Sequence, residues 1–444
     1  MNRSEEFLNA LEEVRRREIP GEVLTRVRRS LLDYLAVTCA GAAFQREKLE
    51  KYFAFALPEA GAFRAIGTGK DLALQETVFL NGLNAHALDF DDGTNSGIIH
   101  LGSPIFSLLL PLAQRYGRST EEVLRAAVAG YEASYTLAVS IQPGHKALGY
   151  HATGTCGVIG AALAASYLLD FDPPERECSF AAACTAASGM LKVLDGSSEL
   201  KPYNVAKAAL LALTAIRMGK AGFRGDGDPL GGRGFLKMMT GREDTALKPM
   251  LLGGTYAVMK SYTKPYASCR YTHPAVEAAI RLREKIAPED VEEISIRTYD
   301  LAVTGHDHTE IPGSYSAKMS IPYATAAGLL FGKAGLQEFS DETVGGGEIL
   351  ALTKKVRVTA DPELSAAFPG IQAAVVEIRG KNGCFTQRVD FPKGEPENPL
   401  TEEEFRSRYD ALMAYGGVGA ETAAAVFRAV SGEDAPADKL LRML

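Results

Sequence analysis

The stretch "ATGTCGVIGAALAASYLL" (152–169) decides the fold. It contains no charged residue and, as a helix, is long enough to be taken for a membrane span. Its content argues otherwise. Glycine and alanine recur through it, and small residues let neighbouring helices approach closely. It therefore reads as a buried helix of a large helical domain. A second uncharged stretch, Ser96–Gln114, carries Pro104 and Pro111 and reads the same way. No membrane span is expected.

Helical patterning surrounds this stretch. "SEEFLNALEEVRRR" opens with Ser4 as a candidate cap, and Pro20–Gly21 closes it. Val23, Val27, Leu31 and Leu35 fall on one stripe of the following helix. Thr120–Glu121–Glu122 after Ser119 makes a good helix start. The character changes near Gly253. "VEEISIRTY" (291–299), "KKVRVTA" (354–360), "AAVVEIRG" (373–380) and "FTQRVDF" (385–391) alternate apolar and polar residues, as strands do. After the turn-rich "KGEPENPL" helical patterning returns, and this tail is expected to pack back on the first domain. The fold class is mainly α with a smaller α+β domain. Residues 1–254 and 393–444 form the large helical domain, and residues 255–392 the smaller one.

The chain has 444 residues, 46% of them hydrophobic, which supports a sizeable core and at least two domains. A net charge of −7 without an acidic tail argues against nucleic acid or an anionic membrane as the main partner. The first residues lack a signal or transit pattern. The six cysteines form no CxxC pair, so neither a disulfide framework nor a zinc or iron–sulfur site is supported. A cytoplasmic location follows as the expectation.

Four segments carry chemistry. In "LDFDDGTNSGIIH" (88–100) the aspartates lack EF-hand spacing, and His86 three residues before Asp89 is thin support for zinc. Alone, the segment reads as a helix end rich in solvated acids. Acids at a helix C-terminus oppose its dipole, however, and such placement needs a reason. In "GYHATGTCGVIGAA" (149–162) the helix start after His151 either faces an anion, with Thr153 and the amides beyond it, or is a tight start capped by Thr155. Lys201, before Pro202, stands at another helix start. It serves a bound anion or snorkels to the surface, and locally the second reading is favoured. "KPYASCRYTHPAVEAA" (264–279) places His273 beside two cations, Lys264 and Arg270, the combination that deprotonation next to a carboxylate needs. No local feature marks Cys269 as an activated nucleophile. "GTGK" (67–70) lacks the rest of a P-loop, and His145, His306 and His308 read as surface or supporting residues.

Taken in order, "LDYLAVTCAGA" (32–42), "NGLNAHALDFDD" (81–92), "GYHATGTCGVIGAALAA" (149–165), "GSSELKP" (196–202), "KPYASCRYTHPA" (264–275), "AKMSIPYATAAGLL" (317–330) and "KGEPENPLTEEEF" (393–405) make the chain resemble the MmgE/PrpD family, that of 2-methylcitrate dehydratase. The resemblance covers nearly the whole chain. It implies a large all-helical domain, an inserted α+β lid, a homodimer and a polycarboxylate site between domains, with no metal and no cofactor. It implies chemistry at a carbon next to a carboxylate: dehydration of 2-methylcitrate, decarboxylation of cis-aconitate or epimerisation of iminodisuccinate. The family's functional positions fall on Asp89, His100, His151, Lys201 and His273.

These implications join the four segments into one reaction. Histidines move protons, with His151 and His273 favoured and Asp89 orienting a histidine or a hydroxyl. Lys201, Arg270 and Lys264 clamp carboxylates, and Thr153 adds a hydrogen bond. The expected function is a cofactor-independent hydro-lyase acting on a di- or tricarboxylate of the 2-methylcitrate type. A cis-aconitate-type decarboxylase, an iminodisuccinate-type epimerase and a non-catalytic carboxylate-binding protein are the alternatives. Gly93, Leu101, Ala152, Asn204 and Gly231 depart from the family pattern, which bears on the substrate more than on the chemistry.

Overall fold

Helix Ala152–Leu168, the structured form of the opening stretch, has all 17 of its residues buried. It packs against helix Thr120–Ile141 at a separation that only small residues permit. A Cβ added at Gly160 would fall 1.8 Å from Ser134 Oγ and 2.7 Å from the Gly130 carbonyl oxygen. The stretch is thus a core helix. Among the described residues no helix is long and apolar enough to cross a membrane. The computed structural model describes residues 2–194, 198–432 and 434–444. Gly196 and Ser197 of "GSSELKP", with Asp195 before them, lie outside the described residues.

The chain divides into two units. The first comprises Met1–Lys192, Lys201–Ser261 and Glu403–Leu444; the second comprises Val193–Leu200 and Tyr262–Glu402. The architecture is mainly α with a smaller α+β part.

In the first unit, the predicted stripe Val23, Val27, Leu31 and Leu35 is buried along helix Gly21–Phe44. Ser119 caps helix Thr120–Ile141 through a reciprocal pair: the Glu122 N–H donates to Ser119 Oγ at 3.2 Å, and the Ser119 N–H to the Glu122 carboxylate at 2.8 Å. The N-terminal helix, Arg3–Arg16, is capped by Asn2 rather than by Ser4. The Ser4 hydroxyl instead donates to Asp228 Oδ1 at 2.6 Å. A short antiparallel hairpin, Ala60–Ala65 with Lys70–Leu72, interrupts the helices. Its strands are too short and too rich in Ala and Gly to announce themselves by alternation. The C-terminal helix Glu402–Tyr415 is tied in by Arg408, which pairs with Asp33 and donates to the Phe90 carbonyl at 2.8 Å. The anchored carbonyl belongs to the acid-rich loop.

In the second unit all four predicted strands form. The sheet order is Val356–Ala360, Val291–Thr298, Ala374–Gly380, Gly383–Val389. The first pair is parallel, with Ile294 opposite Val356, and the others are antiparallel. Helix His273–Leu282 packs on the last two strands and against helix Ile321–Phe331. Its first residue is a candidate catalytic histidine.

Candidate active site

The acids of "LDFDDGTNSGIIH" are not solvated. Asp89, Asp91 and Asp92 are 4%, 2% and 5% exposed. Helix Leu74–His86 ends just before them, and Asp89 turns the chain through the left-handed region at φ 51°. Aspartate enters that region more readily than most residues. The turn sends the three carboxylates to three different partners. Beyond them, the loop closes by a bridge between Thr94 and Ile99, and Ser96 hydrogen-bonds the Tyr135 hydroxyl at 2.9 Å.

Asp89 pairs with Lys201, its Oδ2 lying 2.7 Å from Nζ, and its Oδ1 is 3.7 Å from His100 Nε2. The local reading of Lys201 as a surface lysine is therefore replaced: its side chain is 12% exposed and ends on a buried carboxylate. Asp91 is a hub. Its Oδ1 accepts from His86 Nδ1 at 2.8 Å and lies 3.3 Å from His100 Nδ1, while Ser103 Oγ donates to Oδ2 at 2.5 Å. Asp92 accepts from the Tyr131 hydroxyl at 2.5 Å and from the Gly102 N–H at 2.9 Å. His100 is held from two sides: its N–H donates to Thr153 Oγ1 at 3.1 Å, and Nδ1 donates to the Asp92 carbonyl at 2.9 Å. That bond occupies Nδ1, and Nε2 is the nitrogen turned toward Asp89.

Burial and charge then divide the group. Burial pushes His86 down to about 4, against the pull of Asp91. Burial alone would raise Asp91, but His100 and His86 hold it well below the usual carboxylate range. The His86–Asp91 contact is thus a neutral imidazole donating to a carboxylate. Burial raises Asp92 to about 6, although Tyr131 and the Gly102 amide oppose it.

His151 stands immediately before helix Ala152–Leu168. Its N–H donates to the Gly189 carbonyl at 3.0 Å. The helix start sits tight on that backbone, where a Cβ at Gly154 would fall 2.7 Å from the Ser188 carbonyl oxygen. Thr155 does not cap the helix. Its hydroxyl donates to His145 Nε2 at 2.9 Å, with the Ala152 carbonyl oxygen of the first turn 3.2 Å away. Burial, and next the Lys201 ammonium, hold the His151 imidazole well below its usual range. Its Nδ1 is buried without a hydrogen-bond partner among the described residues. The rings of His86 and His100 are 4.4 Å apart, and those of His86 and His151 6.2 Å apart. The first unit therefore gathers Asp89, His100, His151, Thr153 and Lys201 with two residues that sequence reasoning left out of the reaction, His86 and Asp91. Ligand atoms of His86, Asp89, Asp91 and His100 lie within 4.8 Å of one another, a donor set of the kind that takes a divalent cation. Lys201 already supplies a positive charge to Asp89 there.

In the second unit, His273 begins helix His273–Leu282, with Pro274 next. Its Nε2 donates to the Ser268 carbonyl at 3.3 Å, and the Tyr266 ring meets it edge-on at 5.1 Å. Arg270 forms a buried ion pair with Glu395 and lies over the Tyr262 ring at 5.7 Å. Lys264 is 1% exposed. His306 and His145 are buried, not on the surface: each donates Nδ1–H to a backbone carbonyl, Thr304 at 2.9 Å and Met239 at 3.1 Å. Glu395 is 125 positions from Arg270, and no sequence signal marks that pairing. A cleft of the first unit lined by Gln114, Arg115, Asp438 and Arg442 includes none of the candidate residues.

Two family models match the chain: the MmgE/PrpD N-terminal domain over residues 5–248 and the MmgE/PrpD C-terminal domain over residues 266–431. Cis-aconitate decarboxylase of Aspergillus terreus is 26% identical over 89% of this chain and 86% of its own length. The mouse enzyme of that name is 23% identical over 92% and 86%, and the human one 21% identical over 92% and 87%.

Proposed function

The chain belongs to the MmgE/PrpD family, and on that premise we propose that it is a lyase of polycarboxylates that makes and breaks bonds at the carbon next to a carboxylate. One observation carries the reading: a buried imidazole, His151, kept neutral beside a lysine ammonium. A base must be unprotonated to accept a carbon-bound proton, and a cation must stand near the carboxylate whose charge grows as the proton leaves. Lys201 serves as that cation. An entering carboxylate offsets its charge and so raises the basicity of His151. Asp89 positions Lys201. Thr153 and the Asp92 carbonyl aim His100, and Asp91 holds His86 and His100 in register.

Water elimination from a 2-methylcitrate-type substrate remains the first form of the proposal. His151 and His273 move the protons, and Arg270 and Lys264 bind carboxylate. Decarboxylation of a cis-aconitate-type substrate is the second form, favoured by the name shared by relatives that match about nine-tenths of the chain. Both forms pass through a carbanion conjugated with a carboxylate, made by proton loss in the first and by loss of carbon dioxide in the second, where a protonated group then supplies the proton; neither needs an organic cofactor. None of the six cysteines is in a disulfide, which fits a reducing compartment and the proposed cytoplasmic location. A homodimer, taken from the family resemblance, completes the proposal.

Incubation with a panel of di- and tricarboxylates in D₂O, followed by NMR, tests it. Alkene formation from a hydroxy acid identifies the dehydratase, and loss of carbon dioxide the decarboxylase. Deuterium exchange without net product identifies an epimerase. No change in any member, with binding seen as a shifted melting temperature, returns the chain to the non-catalytic class.

A further inference from the structure

We propose that Cys269 is a covalent modification site: a thiol deprotonated by His306 that adds to electron-poor alkenes bearing a carboxylate. Cys269 Sγ lies 3.7 Å from His306 Nε2. His306 is 4% exposed, and its Nδ1–H donates to the Thr304 carbonyl at 2.9 Å. That bond fixes the tautomer, so Nε2 carries the lone pair and faces the thiol. A nucleophile, a base within reach of its proton and a third group orienting the base together make the arrangement that generates thiolate. The Tyr271 ring, edge-on to His306 at 5.2 Å, keeps the imidazole in place. The sulfur belongs to a partly exposed residue, so a small electrophile can reach it.

Four of the other five cysteines differ. Burial pushes Cys39 and Cys156 up to about 12 and Cys184 well above its ordinary value. Cys384 is exposed, yet desolvation and Glu377 raise its thiol. The carboxylate preference comes from the next residue in the chain. Arg270 is 6% exposed, and its Nη1 has no hydrogen-bond partner among the described residues although Glu395 engages the rest of the guanidinium. A buried N–H donor in that state is satisfied by an anionic oxygen.

The step balances without a further reactant. The thiol proton passes to His306 Nε2, and the sulfur electron pair forms an S–C bond to the β-carbon. The π pair of the alkene becomes a carbanion beside the carboxylate, and that carbon takes the proton from His306. The product is a thioether, with nothing oxidised or reduced overall.

The test uses the full chain near neutral pH with limiting N-ethylmaleimide, and reads each cysteine by peptide mass spectrometry. Cys384 serves as the reference inside the same molecule. Cys269 is expected to label at least about tenfold faster than Cys384, and His306→Asn to abolish that advantage. Faster labelling of Cys384 in the wild type, or a ratio unchanged by His306→Asn, overturns the proposal. Labelling of the buried Cys39 and Cys156 would reveal an unfolded variant, and the wild-type ratio then decides alone. Prolonged incubation with fumarate tests the ligand class: an adduct confined to Cys269 supports it, and none on Cys269 refutes it. Labelling reads the thiol and not turnover, so the result stands apart from the proposed lyase activity.

Discussion

The acid-rich loop of the first unit and the Lys264–His273 segment of the second both concentrate charge out of water, but they settle it differently. In the loop, Asp89 and Asp91 face one lysine and two imidazoles while Asp92 takes a tyrosine hydroxyl, and His86 and His151 are held neutral. In the second segment, Arg270 is matched by one buried carboxylate, Glu395. The loop is a network with proton-accepting nitrogens in reserve; the Arg270–Glu395 pair occupies Nε and Nη2 of one guanidinium and holds no such nitrogen. Buried charge alone does not distinguish chemistry from scaffold. Neutral imidazole beside a cation does.

The largest expected effect breaks the comparison from the loop side. His151→Ala and Lys201→Ala should each lower turnover of the best panel substrate by about 10²–10⁴-fold, measured with the fold checked by circular dichroism. The next comes from the Arg270–Glu395 pair. Arg270→Ala removes the guanidinium that pairs with buried Glu395 and should cost about 3–5 kcal/mol, read from urea unfolding. A loss under about 1 kcal/mol would mean that Glu395 is not desolvated as described.

The smallest effect sharpens the account of the neutral histidines. His145, like His86, has a folded-state value of about 4 against an ordinary 6.5. The unfolded chain then binds more protons between those values, so each group's contribution is complete above about pH 6.5 and is lost as the pH falls toward 4. Asp92, raised to about 6, works in the opposite sense over an overlapping range. His145→Asn should therefore remove about 2 kcal/mol of the stability lost between neutral pH and about pH 5. Denaturation midpoints at the two pH values measure it. An unchanged slope would place His145 in water.

Much of the fold was legible because period and composition report burial directly. Helix Ala152–Leu168, the Val23–Leu35 stripe, the Ser119 cap and all four strands of the second unit form where patterning puts them. The hairpin at Ala60–Leu72 left no such trace. In the site, residue types were legible but partners were not. Asp89 was read as orienting a histidine or a substrate hydroxyl; its nearest contact is Lys201, with His100 Nε2 at 3.7 Å, while Asp91 touches both His86 and His100. That division follows from the left-handed turn at Asp89, a backbone property that the string "DFDD" does not display. Glu395 and His306 joined Arg270 and Cys269 through tertiary structure alone, and a lone histidine or glutamate has no periodicity to betray burial.

The most direct test of the central claim, a neutral His151 working beside Lys201, is deuterium transfer between solvent and the carbon next to a carboxylate. It compares wild type with His151→Ala on the best panel substrate in D₂O. The account predicts that the variant still binds that substrate while its rate of carbon-bound deuterium incorporation falls at least about 100-fold. Incorporation at the wild-type rate would contradict it.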